Sequence, residues 1–198
     1  MRRDAAKENG ECLKTSTIIC LLCILCVGCN RSSVEPGTNP APAPNTAMYK
    51  LGDVDLLAES YGKGLRLMSV WSQDVNPDGT SGTWNYIYSD NLFPPTSYLF
   101  HSTSSTVKFD STRPTGVGAG FISHHWCNSD LALFIAEQNG GTQFRNQNLH
   151  YRITASVGIP VVPNPKTFWY INYQSIDNSN SLILDIDANS GVVIGKYP

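Results

Sequence analysis

The sequence has few charged residues. Lysine, arginine, aspartate and glutamate make up 15% of the 198 residues, and the formal net charge is −2. A nucleic-acid-binding domain carries a basic patch or stripe, and attraction to an anionic membrane surface needs a similar basic cluster. The lysines and arginines here are scattered and form neither pattern. The sequence therefore predicts no nucleic-acid partner and no electrostatic attachment to a membrane.

Long hydrophobic runs are also absent. The apolar stretch over residues 17–28 has about a dozen residues, whereas a helix needs about 20 to cross the hydrocarbon core of a bilayer. Such a stretch behind Arg2, Arg3, Lys7 and Lys14 is typical of a secretory signal peptide. We therefore predict an exported protein, with a short buried core helix as the alternative reading of this stretch.

The segment Leu25–Cys29 (Leu-Cys-Val-Gly-Cys) resembles the lipobox of bacterial lipoproteins, in which small residues precede a cysteine that is acylated and becomes the mature N-terminus. Gly28 and Cys29 match the motif. A leucine is usual three positions before the modified cysteine, where this chain has Cys26. The resemblance implies a signal peptide over residues 1–28 and lipid on Cys29. It also implies a location in the bacterial cell envelope, anchored to a membrane and facing the periplasm or the cell surface.

Cleavage before Cys29 would leave one further cysteine of the six, Cys127, so the mature domain has no internal disulfide to form. It would also remove four of the 14 basic and three of the 16 acidic residues and leave a weakly acidic protein. Residues 29–48 are rich in proline, asparagine and threonine. They predict an extended stalk between the lipid and the folded part.

Two short sequence patterns occur twice and predict an internal duplication. Leu57–Gly62 (LAESYG) is similar to Ile135–Gly140 (IAEQNG), and Trp84–Tyr88 (WNYIY) is similar to Trp169–Tyr173 (WYINY). The two pairs are separated by different intervals, so the second copy would contain an insertion. The Pro-rich residues 158–165 are the natural place for it.

A helix signal opens each copy. The first helix is predicted over Asp53–Tyr61 and ends at Gly62, and the second begins after Asn128 or Ser129 and ends at Gly140. Helical spacing predicts that the second helix packs through Leu131, Phe134, Ile135 and Gln138.

Four strands are predicted after each helix, in segments rich in aromatic and β-branched residues and separated by turn residues. One helix followed by an antiparallel meander, twice, predicts an α+β fold of two tandem units over residues 49–122 and 123–198. The predicted strands are Leu65–Trp71, Trp84–Tyr88, Ser97–Phe100 and Thr106–Phe109, then Leu149–Val157, Phe168–Tyr173, Leu182–Ile186 and Val192–Ile194.

The C-terminal part of the chain resembles the end of PepSY domains. Such a domain has an aromatic strand, here Trp169–Tyr173, and then a hydrophobic strand, Asp-Ala, a two-residue turn, Gly and a short hydrophobic strand, here Leu182–Ile194 (LILDIDANSGVVI). The resemblance extends over about residues 129–196 and is faint in the first copy. It implies a cystatin-like fold outside the cytoplasm and a general role in binding or restraining peptidases and other envelope proteins. It implies no catalytic residues.

Two acidic segments have part of the spacing of a calcium-binding loop. In Asp74–Gly79 (DVNPDG) three oxygen-bearing residues alternate before a glycine, but the twelfth position holds Asn85 instead of a bidentate carboxylate. In Asp185–Asn189 (DIDAN) the glycine comes one place late, and Lys196 occupies the last ligand position. Both segments have good turn chemistry of their own. We therefore predict turns here and no bound metal.

His124, His125 and Cys127 carry side chains that could ligate zinc or copper, or act as nucleophile and base. Neighbours on an extended strand point to opposite faces, however, and an adjacent histidine is not a positioned base. The other two histidines, His101 and His150, are distant in sequence. We predict no metal, no cofactor and no catalytic residue. A pocket that joined one of the adjacent histidines with Cys127 and Asp130 would favour an enzyme.

These observations predict a non-catalytic envelope lipoprotein that binds a protein or peptide through an exposed sheet edge or an aromatic-bearing face. Modulation of peptidases or of other envelope proteins is the role that the family resemblance adds. Two alternatives stay open: an envelope hydrolase acting on peptide or glycan, and a structural or assembly lipoprotein.

Overall fold

The structure, a computed structural model, describes residues 41–90, 92, 95–114, 120–159 and 166–198. The predicted signal peptide, Cys29 and most of the predicted stalk lie outside these ranges. None of the described helices is long and apolar enough to cross a membrane. In chain order the elements are α1 (Leu51–Tyr61), β1 (Arg66–Ser72), β2 (Trp84–Ser89), β3 (Thr96–Ser102), β4 (Val107–Pro114), α2 (Ser129–Ala136), α3 (Thr142–Gln147), β5 (Tyr151–Gly158), β6 (Phe168–Ser175), β7 (Ser181–Asp187) and β8 (Val193–Tyr197).

The eight strands form one antiparallel sheet in the order β4-β3-β2-β1-β5-β6-β7-β8. A meander of four strands comes after α1, and a second meander of four comes after α2 and α3. The two meanders join where Ser69–Ser72 of β1 pairs with Ala155–Gly158 of β5. The α+β class and all eight strands are therefore confirmed. The expectation of a separate sheet for each unit is corrected: β1 and β5 pair with each other, which satisfies the backbone groups that each would expose as an edge.

One face of the sheet carries the core. Side chains alternate between the two faces of a strand, and the strands bury every second residue on the face that the helices cover. α1 packs over β3 and β4, whereas α2 packs over β6 and β7. Each large apolar side chain buried here contributes about 1.5–3 kcal/mol to stability. Fully buried examples are Val70, Tyr86, Phe100, Ile153, Ile171 and Leu184.

The second helix does not end at Gly140, as the sequence predicts. α2 continues through a π-type turn, Glu137–Gly141, into α3. Gly140 has a φ of 122°, a conformation that glycine adopts easily and other residues avoid. The glycine therefore bends the helical segment instead of terminating it. The sequence gives no sign of α3, whose Phe144 is buried.

The packed face of α2 also differs from the prediction. Ala132, Leu133 and Ala136 are fully buried, whereas Phe134 is 53% exposed. The small alanine side chains let the helix approach the sheet closely, and this turns the larger phenylalanine towards solvent. Helical spacing alone does not distinguish these two faces, because both carry apolar residues.

Packing begins before residue 49, within the last residues of the predicted stalk. Thr46 and Ala47 are buried. The Ala47 N–H donates to Ser129 Oγ at 3.0 Å, and the indole N–H of Trp84 donates to the Asn45 carbonyl at 2.9 Å. The chain therefore enters the fold against the N-terminus of α2 and the first residue of β2.

Candidate functional site

The two tryptophans that sequence similarity pairs lie on the second strand of each meander, Trp84 on β2 and Trp169 on β6. Their rings contact each other edge to face, with centroids 6.2 Å apart. Each indole N–H donates to a backbone carbonyl that shortly precedes a helix, that of Asn45 or that of Cys127. The two halves therefore anchor the approach to their helices in the same way.

Each half also has a buried tyrosine whose hydroxyl donates to a carboxylate. Tyr88 donates to Asp55 on α1, and Tyr173 donates to Glu137 Oε1 at 2.9 Å, at the end of α2. Burial raises the pKa of both tyrosines, and the neighbouring carboxylates raise it further. Both hydroxyls therefore remain protonated donors.

A cation completes each of these clusters. His124 Nε2 lies 3.3 Å from Asp55 Oδ1, and Arg145 Nη2 lies 2.7 Å from Glu137 Oε2. The hydrogen bond to Asp55 raises the pKa of His124 against the opposing effect of burial. Burial raises the pKa of Glu137, but hydrogen bonds outweigh it, the strongest from Arg145, and the net shift is downward. These contacts align Asp55 with Glu137.

This alignment differs from the one that sequence similarity suggests. The repeated Ala-Glu pattern pairs Ala58 with Ala136, and these residues do lie on corresponding helices, α1 and α2. The contacts of Asp55 and Glu137 shift the correspondence by four residues, which is about one helical turn.

The structure brings His124, His125, Cys127 and Asp130 to one cavity of about 680 Å³. The geometry does not assemble a nucleophile and its base. His124 is directed at Asp55, and the Asp130 carboxylate accepts the N–H of Leu131 at 2.8 Å. Cys127 is buried. A cysteine nucleophile needs a base within hydrogen-bonding reach that a third group orients.

Neither the histidines nor the acidic segments form a metal site in the described part of the chain. No three His, Cys, Asp or Glu side chains gather there in a group that could hold an ion. His101 Nδ1 instead lies 2.6 Å from Asp110 Oδ1, on the neighbouring strands β3 and β4.

Both acidic segments are turns, as predicted. Asp78 Oδ1 accepts the backbone N–H and the hydroxyl of Thr80, and these bonds lower the pKa of Asp78. Asp187 Oδ1 accepts the N–H groups of Asn189 and Ser190, both at 3.0 Å. Each carboxylate is thus engaged in closing its own turn.

Sequence reasoning missed an open groove of about 480 Å³ between α3 and the edge strand β8. Its floor includes Phe144 and Leu182, which are largely buried, and Lys196 lies at its side. Against the helices it adjoins a more polar cavity of about 690 Å³, lined mainly by amide side chains. The sequence signal for it was the run of glutamines and asparagines in residues 138–148 (QNGGTQFRNQN).

Most aromatic side chains serve the core. Trp84, Tyr86, Trp169 and Tyr173 are buried on the helix-covered face. Tyr170, on the opposite face, is 37% exposed. The sheet edge next to the groove is therefore a more accessible candidate surface than a continuous aromatic face.

No protein-family profile matches this chain, and no curated protein matches its sequence. Among solved structures, it is similar to a protein of Clostridium difficile 630 described as a candidate lipoprotein. The two share 12% sequence identity with a TM-score of 0.50, and the match covers 79% of this chain and 95% of the other. At this identity the likeness shows a common fold alone. The resemblance to PepSY domains therefore gains no support from a family profile.

Proposed function

We propose that this chain is a bacterial envelope lipoprotein, anchored through lipid on Cys29, that acts as a non-catalytic binding module for a protein or peptide. The anchor is supported by the apolar stretch over residues 17–28 and by the Gly28-Cys29 junction. The candidate lipoprotein of similar fold fits the same location, although the likeness between the two chains is structural.

The observation that carries the binding role is the open end of the sheet at β8. In the described part of the chain, β8 has a partner strand on one side alone, β7. Its other side therefore presents backbone N–H and C=O groups that an added strand could pair with. Two of its large side chains, Ile194 and Tyr197, are about half exposed.

We further propose that the domain consists of two tandem helix-plus-meander units, related to cystatin-like folds, and that its role is to restrain or modulate a peptidase or another envelope protein. The tandem arrangement is supported by the repeated order of elements and by the corresponding contacts of Trp84 and Trp169. The contacts of Tyr88 and Tyr173 with their carboxylates support it independently.

The anchor is tested by expressing the full chain in a bacterial host that is fed a fatty-acid analogue for labelling. We expect label on the wild type and none on Cys29→Ala. Cys26→Ala is the matched control and should still be labelled, because it leaves the Gly28-Cys29 junction intact. Label retained by Cys29→Ala would refute the anchor.

The binding role is tested with the intact lipoprotein in its own envelope, carrying a photo-crosslinking amino acid at Ile194 on the β8 edge. A crosslinker at Leu56, an exposed residue of α1, is the control. We expect a discrete crosslinked protein from Ile194 and none from Leu56. The absence of any crosslinked species from Ile194 would contradict a role for this edge.

The cavity that joins His124, His125, Cys127 and Asp130 supports a second candidate, a hydrolase acting on peptide or glycan. Its test is the hydrolysis of labelled casein and labelled peptidoglycan by the full chain and by Cys127→Ala. Activity that is present in the wild type and lost in the variant would favour the hydrolase. Equal background in both would leave the binding module as the proposal.

A further inference from the structure

The two halves of the sheet differ in how the cleft between helix and outermost strand is closed. In the first half, Tyr61 at the end of α1 stacks on Phe109 of β4, with ring centroids 4.2 Å apart and nearly parallel planes. Both rings also contact Phe100, which is fully buried on β3. Three aromatic rings therefore fill this cleft.

The corresponding positions in the second half hold polar residues. Tyr61 lies six residues after Asp55, and Gln143 lies six residues after Glu137, the carboxylate with the same contact to a buried tyrosine. Phe109 is opposite Phe100 in the strand register, and on the corresponding strands Lys196 is opposite Leu184. The stacked pair of the first half is thus represented by Gln143 and Lys196.

The consequence is an opening. Gln143 and Lys196 line the groove of about 480 Å³ between α3 and β8, at the place where the first half has its stacked rings. Lys196 extends across the helix bend, since its Nζ lies 3.1 Å from the position that a Cβ on Gly140 would occupy. The cleft that is packed in one half is therefore accessible in the other.

The two outer strands differ in the same direction. β4 has Lys108, Asp110 and Arg113 and ends at Pro114, and charges and proline are features that protect edge strands from pairing. β8 has a single charged residue, Lys196, next to half-exposed apolar side chains. An incoming strand would therefore meet less opposition at β8 than at β4.

We propose that the groove between α3 and β8 binds an extended peptide that carries an acidic side chain and joins the sheet as a ninth strand. This proposal rests on the binding role proposed above and specifies its site. Backbone pairing with β8 would supply affinity, and an apolar side chain of the peptide would enter the groove over Phe144 and Leu182.

Charge and hydrogen-bonding capacity decide the chemistry of the peptide. Lys196 makes no ion pair with any described residue, and the nearest helix carboxylate, Glu137, is already paired with Arg145. A carboxylate on the peptide would therefore be the complementary partner for Lys196. The neighbouring amides, Gln138, Asn139, Gln143, Asn146 and Gln147, can donate to and accept from the polar groups of the peptide.

The test uses the full chain, purified in detergent, and a fluorescein-labelled ten-residue peptide of alternating valine and glutamate. Binding is measured by fluorescence anisotropy. The variant Gln143→Tyr with Lys196→Phe rebuilds the stacked pair of the first half and should fill the groove. The control is Lys63→Phe, which changes an exposed lysine in the turn after α1. Thermal unfolding of each variant establishes that it folds.

We expect the groove-filled variant to bind at least tenfold more weakly than the wild type and the control variant. A peptide N-methylated at every second residue should also bind at least tenfold more weakly, because it cannot pair along its backbone. Exchanging glutamate for glutamine should weaken binding to the wild type and leave Lys196→Phe unaffected.

Equal affinity of the wild type and a folded groove-filled variant would overturn the groove assignment while leaving the proposed binding role in place. Affinity that N-methylation does not change would overturn strand addition. A dimer in sedimentation that the groove-filled variant abolishes, with no peptide binding, would assign the edge to a second copy of this chain and likewise overturn the proposal. Crosslinking at Ile194 tests the proposed function separately.

Discussion

Trp84 and Trp169 contact each other edge to face, although β1 and β5 separate the strands that carry them. The two indoles therefore meet over the seam that joins the meanders. The seam residues paired beneath this face, Ser72 and Ala155, have small side chains and are buried. Small residues in the seam leave room for the two large rings above it.

The tryptophan contact should couple the two halves energetically. Replacing either Trp84 or Trp169 by alanine should lower the free energy of unfolding by about 3–5 kcal/mol, the usual cost for a buried large aromatic side chain. A double-mutant cycle should give a coupling of about 0.5–1.5 kcal/mol, as direct aromatic pairs do. The measurement is urea unfolding followed by circular dichroism. Strictly additive effects would contradict an energetic link across the seam.

Gly79 and Gly64 form a matched pair for separating backbone strain from packing. Both have a φ near 80°, but a Cβ on Gly79 would meet the backbone at the N-terminus of α2, whereas nothing lies within 4 Å at Gly64. Gly64→Ala should cost about 1–2 kcal/mol, the strain of a left-handed backbone. Gly79→Ala should cost about 1–3 kcal/mol more, because the turn and the helix must move apart. Equal losses in chemical unfolding would show that the turn is not tightly packed on the helix.

The Glu137–Arg145 pair should make stability sensitive to acid. Because folding lowers the pKa of Glu137, its stabilising contribution is present above its ordinary value of 4.5 and is lost as the pH falls through the folded-state pKa. Arg145→Met should cost about 1–3 kcal/mol at pH 7, since the carboxylate loses its main hydrogen-bond donor. The difference from the wild type should shrink below pH 4.5.

Arg152→Met is the control for this experiment, because Arg152 is exposed and contacts the amide of Gln174 rather than a carboxylate. Its effect should be small at every pH. A difference between the wild type and Arg145→Met that stays constant from pH 7 to pH 3 would argue against the assigned role of Glu137.

The His124–Asp55 pair should act in the opposite direction. Folding raises the pKa of His124, so the stabilisation is fully present below 6.5 and is lost as the pH rises through the folded-state pKa. His124→Gln should therefore destabilise the chain more at pH 5.5 than at pH 8.5. Because the imidazole is about half exposed, we expect a difference of less than about 1 kcal/mol. In an Asp55→Asn background, the same substitution should lose this pH dependence.

Local sequence signals predicted the elements well. The strands have alternating aromatic and β-branched residues between clear turns, and α1 lies within two residues of its predicted start. The bend at Gly140 was harder, because a glycine with positive φ ends some helices and redirects others. Tertiary contacts on the C-terminal side of the glycine decide between the two, here the packing of Phe144 and the contact between Glu137 and Arg145.

Relations between distant parts of the chain were not readable from one sequence. Any of the predicted strands could have remained an edge, so the pairing of β1 with β5 left no local mark. The groove depends on what Gln143 and Lys196 lack, which becomes visible once the stacked Tyr61 and Phe109 are seen at the corresponding place. The cavity beside Cys127 arises in the same way, from segments that meet only in the folded chain.

The point where the chain enters the fold has a mechanical consequence. Asn45, Thr46 and Ala47 are fastened by hydrogen bonds to Trp84, Asn128 and Ser129, close to the seam of the sheet. Tension on a tether would therefore reach the middle of the molecule, where many bonds must break together before anything moves. An outer strand, by contrast, would peel away one bond at a time. A cargo pulling on β8 would tend to detach before the tethered body unravelled, so the weakest link under load would be the reversible one.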